Sequence, residues 1–182
     1  MLNFKTLILI FFLFFIVACS NVQSNTPNNM AADSNVKLGL TYLKAGESDL
    51  AKKKLLLALE ENPQSSLAND AMGYFLESVG DKKAAESYYQ NAIVLSNPNE
   101  KGASFNNYGT YLFRSGRAKE ALKYFRLAIA DPKYLQVAAA YENAGFAALA
   151  LSDKNLARSY FSKSLQYDPK RIKAKQALRK LP

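Results

Sequence analysis

Four glycines punctuate this chain at nearly even steps: Gly39, Gly73, Gly109 and Gly145 stand 34, 36 and 36 residues apart. Ala51, Ala85, Ala121 and Ala157 repeat those steps, each a fixed distance after its glycine. Pro63, Pro98, Pro132 and Pro169 follow about a dozen residues later. Glycine inside a helix costs about 1 kcal/mol relative to alanine. A cost met four times in register needs a packing reason, namely two helices crossing closely where the small residues touch. Each alanine is followed four residues on by a large apolar residue: Ala51/Leu55, Ala85/Tyr89, Ala121/Phe125 and Ala157/Phe161. That spacing puts both on one helix face. The prolines stop each second helix.

A self-similar period of roughly 34 residues is the signature of tetratricopeptide helix pairs. The predicted class is therefore all-α, a superhelix of four helix pairs with a capping helix. An ordinary helical bundle would not hold glycine and alanine in register through every unit. The pairs are expected over 33–45 and 48–61, 65–79 and 82–95, 101–115 and 118–130, and 134–151 and 154–167. A short basic helix within 170–182 closes the chain, because terminal repeats need a polar outer face. The linker Ser96–Gly102 is longer than a standard turn and marks a place where the superhelical twist can change.

The amino terminus has a different character. Lys5 precedes an unbroken apolar stretch from Leu7 to Val17, then Ala18, Cys19 and Ser20. The stretch is short of the ~20 residues a spanning helix needs and fits the core of a secretory signal peptide over 1–18. Ile16-Val17-Ala18-Cys19 resembles a bacterial lipobox, which implies cleavage before Cys19 and a lipid on its sulfur. A secretory peptide with a chance cysteine is the competing reading. Ser20, rather than aspartate, implies sorting to the outer membrane. Several acyl chains at about 0.8 kcal/mol per buried methylene make such an anchor effectively permanent. Residues 19–32 are Asn/Ser-rich and are expected to form a flexible tether.

Composition argues for binding rather than catalysis. The chain has no histidine, so the commonest general base and metal ligand are missing. Its one cysteine is Cys19, which excludes an intramolecular disulfide and leaves no free thiol once lipidated. No phosphate-cradling glycine loop is present, and no cofactor or metal is expected beyond the covalent lipid on Cys19. Net charge is +9, concentrated at Lys52-Lys53-Lys54 and in the acid-free run from Lys170 to Lys180. Export argues against nucleic acid as the partner. A solvated helix face, anionic headgroups or an acidic partner surface remain open for these clusters.

First helices line the concave face of such arrays. Residues three before, one after and four after each glycine are the inward candidates. They are Val36, Leu40 and Leu43; Asp70, Tyr74 and Glu77; Asn106, Thr110 and Phe113; and Glu142, Phe146 and Leu149. Asn107 and Asn143, two before their glycines, flank the groove. Tyr74, Phe113 and Phe146 are expected as apolar anchors for a partner. Asp70, Asn106 and Glu142 are expected to fix a peptide backbone, with packing between repeats as the competing role for each.

A lipobox, an Asn-rich tether, Leu38-Gly39-Leu40-Thr41-Tyr42-Leu43, Asn106-Asn107-Tyr108-Gly109, Asp131-Pro132-Lys133-Tyr134 and Glu142-Asn143-Ala144-Gly145 together resemble the PilW/PilF type IV pilus biogenesis lipoproteins. The resemblance implies a pilotin: an outer-membrane lipoprotein on the periplasmic face that helps the pilus secretin reach the membrane and multimerise. One departure is that such proteins usually continue through further repeats, so a partner surface on later repeats is expected to be missing. A general periplasmic adaptor for envelope or peptidoglycan enzymes is the alternative, and an accessory of outer-membrane protein assembly is a third reading.

Overall fold

The computed structural model describes residues 27–98 and 101–181. The expected signal segment, the lipobox with Cys19 and most of the expected tether lie outside the described residues. The helices are α1 (Asn29–Lys44), α2 (Ser48–Glu61), α3 (Ser66–Ser78), α4 (Lys82–Leu95), α5 (Gly102–Arg114), α6 (Ala118–Ala130), α7 (Val137–Ala150), α8 (Lys154–Tyr167) and α9 (Ile172–Lys180). Among the described residues there are no strands. The pairs α1/α2, α3/α4, α5/α6 and α7/α8 are antiparallel hairpins. Each second helix packs on the next first helix, and α1, α3, α5, α7 and α9 lie side by side.

The glycine and alanine register sets how closely each hairpin closes. A methyl group built on Gly39 would lie 2.8 Å from Leu55, on Gly109 2.8 Å from Phe125 and on Gly145 2.6 Å from Phe161. At Gly73 the Tyr89 ring stands slightly farther off, at 3.2 Å. Each first helix thus rests its glycine against the large residue of its own second helix. Ala51, Ala85, Ala121 and Ala157 are fully buried at the same crossings.

The hairpin turns repeat as faithfully. Gly46, Gly80 and Gly116 end the first helices with φ between 80° and 88°. In the fourth hairpin Ser152 takes the equivalent place with φ 63°. The next amide donates back to the carbonyl five residues earlier in every case: Glu47 to Tyr42, Asp81 to Leu76, Arg117 to Leu112 and Asp153 to Ala148. This is the Schellman closure, which needs a left-handed residue just after the helix.

Two helix starts differ from the sequence reading by three residues or more: α7 begins at Val137 rather than 134, and α1 at Asn29 rather than 33. Helix α1 begins at Asn29, inside the segment expected to be tether, because the Asn28 side chain caps the Ala31 N–H and the Asn28 N–H donates to the Glu61 carbonyl at 3.0 Å. Asn62 Nδ2 donates to Asn29 Oδ1 at 2.6 Å and fixes the same end.

Three apolar clusters run along the array. The first joins α1, α2 and α3 around Val36, Leu55 and Phe75. The central cluster spans α4 to α7 and holds Tyr89, Tyr108, Tyr111 and Phe125. The last packs Phe161 against Ala148 and Ala174, which seals α9 onto the fourth hairpin.

Candidate functional site

The first helices expose one face in common, and a polar ladder runs across it. Asp70 on α3 accepts from Asn107 Nδ2 at 3.0 Å and from Ser104 Oγ at 3.1 Å, both on α5. Asn106 on α5 accepts from Asn143 Nδ2 on α7 at 3.0 Å. Glu142 on α7 accepts from Arg171 Nη2 at 2.6 Å and from the Ala174 N–H at 3.1 Å. The acceptor is always three residues before a repeat glycine. In the first two rungs the donor is two residues before the next glycine. The acceptor position therefore carries at least one hydrogen bond across each junction from α3 to α9.

The final rung has an extra consequence. Helix α9 has no side-chain cap of its own, since Arg171 occupies its N-cap position. Glu142 supplies the missing acceptor from a different helix, where a carboxylate also suits the helix dipole. A parallel device starts α5, whose N-cap Lys101 makes no capping bond. There the Asp131 carboxylate accepts the Gly102 N–H at 2.6 Å and its own Lys133 N–H at 2.9 Å.

The ladder separates the predicted site residues. Asn106, Asn143 and Glu142 are engaged within the chain. Phe146 packs edge-on against Phe161, with ring centroids 5.0 Å apart, and Phe113 packs on the central cluster. Both are half-buried. Tyr74 is different: it is 47% exposed. It lines a cavity of about 270 Å³ between α1, α3, α4 and α5, shared with Leu40, Leu67, Asp70, Asn107 and Arg114.

The electrostatics of this cavity are uneven. Arg114 grips Glu77 through two bonds of 2.6 Å and stands 5.8 Å from the Tyr74 ring centroid, a cation–π distance. Tyr89 donates to the same Glu77 at 3.1 Å. The Asp70 carboxyl is 7% exposed, and its Oδ1 has no partner among the described residues. Burial pushes its pKa up to about 6, against the lowering effect of the Asn107 and Ser104 bonds. A buried carboxylate left half-satisfied beside an exposed ring is unfavourable for the fold alone.

Sequence reasoning found the first-helix positions but not their pairing. It also missed Arg114, Leu67 and the turn positions Gly46, Gly80, Gly116 and Ser152. The signal was present: those four turn positions recur at the same steps as the repeat glycines.

The comparisons agree with this geometry. The tetratricopeptide repeat model matches residues 32–65 and 138–171, the first and fourth hairpins. The type IV pilus assembly protein PilF of Pseudomonas aeruginosa is 32% identical over 145 residues, covering 80% of this chain and 57% of that protein. The chain thus spans little more than half the length of that relative. The solved structure described as a functional characterisation of Pseudomonas aeruginosa PilF superposes with a TM-score of 0.77 at 29% identity, over 84% of this chain and 68% of that one. The crystal structure of PilW, described as a widely conserved type IV pilus biogenesis factor, gives 0.73 at 25% identity, over 81% of this chain and 66% of that one.

Proposed function

Because the chain is a tetratricopeptide-repeat protein homologous to the pilus proteins PilF and PilW, we propose that it serves type IV pilus biogenesis as a pilotin-type scaffold. In this reading it binds the pilus secretin, or a protein that assembles with it, and assists secretin localisation and multimerisation. It does no chemistry of its own. The observation that carries the reading is the homology, which covers 80% of this chain in sequence and 84% in structure. The exposed cavity around Tyr74 supplies a surface of the required kind, concave and mixed apolar and polar. The lipobox at Cys19 supports attachment to the periplasmic face of the outer membrane.

The physical division of labour is simple. The anchor confines the array near the membrane and raises its effective concentration toward membrane-bound partners. The rigid ladder holds the first helices in one arrangement, so partner binding orders little of the scaffold. The test is a deletion strain complemented with wild type or with Cys19→Ala. The reading expects heat-resistant secretin multimers to fall in the deletion while monomers persist. It expects wild type to restore them, and Cys19→Ala to lose fatty-acid label and fail to restore them fully. Normal multimers in the deletion strain would reject it.

A further inference from the structure

A second groove closes the concave face at its carboxyl end. Its floor is Phe146 and Leu149 of α7, with Ala177 and Leu181 opposite, and all four are half-buried. Lys154, Lys173 and Lys180 rim it and are exposed. The cavity measures about 400 Å³. Pockets that bury small ligands or single side chains fall in the range of ~300–1,000 Å³.

Helical spacing builds the rim. Lys173, Ala177 and Lys180 recur at steps of three and four, so they share one stripe of α9. Ala174 and Leu178 fall on the neighbouring stripe and join the Phe161 cluster, which fixes the rotation of the helix. Lys175 and Arg179 therefore lie on a different side from the groove.

Among the described residues no carboxylate lines this groove. Asp153, beside Lys154 in sequence, uses its carboxylate to cap the Leu156 N–H at 2.9 Å. Glu142, the acid on the facing helix, is buried against Arg171 and Ala174. Among the described residues none of the three lysines is held in an ion pair. An apolar floor under three unneutralised cations is complementary to a segment with the same two features and the opposite charge.

We infer that this groove receives an acidic amphipathic segment of a partner protein. An aliphatic or aromatic side chain of that segment seats on Phe146 and Leu149. Carboxylates on either side of it pair with Lys173, Lys180 and Lys154. The apolar contact supplies most of the affinity, and the lysines supply encounter rate and selection by sign. A flat anionic bilayer reaches protruding cations but not a floor sunk between two helices. The inference stands apart from the pilus reading and names a different part of the surface from the Tyr74 cavity.

The test uses the full chain and a fluorescent ten-residue peptide of leucine and glutamate, followed by anisotropy, with a leucine–lysine peptide as control. The glutamate peptide is expected to bind, to weaken as salt rises, and to outcompete the lysine peptide. Lys173→Glu with Lys180→Glu is expected to weaken it by about tenfold or more, a penalty typical of like charges juxtaposed in an interface. Lys175→Glu with Arg179→Glu carries the same charge change off the groove and is expected to stay within about twofold. Circular dichroism checks that both variants keep their helices. Failure of the glutamate peptide to bind, or equal weakening by both pairs, overturns the inference. Phosphatidylglycerol vesicles form the last arm: loss of vesicle binding in the Lys173/Lys180 variant with peptide binding intact overturns it in favour of lipid.

Discussion

Replacing Asp70 by asparagine should make the protein more stable at neutral and basic pH. The carboxyl is almost fully buried, and its pKa is pushed from 3.8 up to about 6 by desolvation. A raised pKa means that the folded state holds the proton more tightly than the unfolded one. This contribution to stability is fully present below pH 4 and is lost as pH rises through 6. A shift of about two units, at about 1.4 kcal/mol each, corresponds to roughly 3 kcal/mol between the two limits. Asparagine keeps an oxygen for Ser104 and Asn107 and carries no charge. Its amide then occupies the place of the unpartnered Oδ1, and an orphaned donor returns about 1–2 kcal/mol of cost. The net gain at pH 8 is therefore about 1–2 kcal/mol, and Asp70→Asn becomes level with or less stable than wild type at pH 4. Urea unfolding of both proteins at several values between pH 4 and 8 measures this, and the difference between the two curves cancels the other carboxylates. A difference that stays constant across that range would refute the assignment of a costly charge to Asp70.

Three other expectations come from packing and capping. Gly145→Ala should destabilise by about 1–3 kcal/mol because its methyl meets the Phe161 ring at 2.6 Å, whereas Gly73→Ala, at 3.2 Å from Tyr89, should be near neutral as helix propensity offsets the contact; thermal unfolding of the pair reads the contrast. Glu142→Ala leaves Arg171 and the Ala174 N–H without their acceptor and should cost about 2–4 kcal/mol, with hydrogen exchange speeding first in α9. Ser152→Gly should raise stability by about 0.5–1 kcal/mol, since serine there holds a left-handed backbone that its three counterparts fill with glycine; urea unfolding checks it.

Repeat register was legible because close helix crossings admit only small residues, and that demand is local to each hairpin. Gly39 against Leu55 and Gly145 against Phe161 are the direct outcome of spacing alone. Contacts between hairpins were harder to read. Asn106, Asn143 and Glu142 have the polarity and position of groove residues, yet Asn106 and Asn143 bond to each other across neighbouring hairpins and Glu142 bonds to Arg171 and the start of α9. A side chain on the inner face can turn toward a ligand or sideways toward its neighbour, and composition does not distinguish the two. Phe113 and Phe146 illustrate the same point for apolar residues, as both are partly drawn into the core. The start of α1 depended on Asn28 and Asn62, whose bridging bonds to Glu61 and Asn29 link residues more than thirty apart. The groove between α7 and α9 was invisible because it needs the docking angle of α9, which Glu142 sets.

The central claim is that the exposed cavity at Tyr74 is a working surface in secretin assembly. Tyr74 and Leu67 are each 47% exposed and both line that cavity, so their removal should spare the core. The direct measurement is the level of heat-resistant secretin multimers in a strain whose only copy carries Tyr74→Ala with Leu67→Ala. Circular dichroism and outer-membrane fractionation of the same protein accompany it. The account predicts fewer multimers from a folded, correctly placed protein, because aromatic anchors in a concave surface carry a large share of binding energy. Multimers at the wild-type level, from a variant equally folded and equally placed, would contradict it.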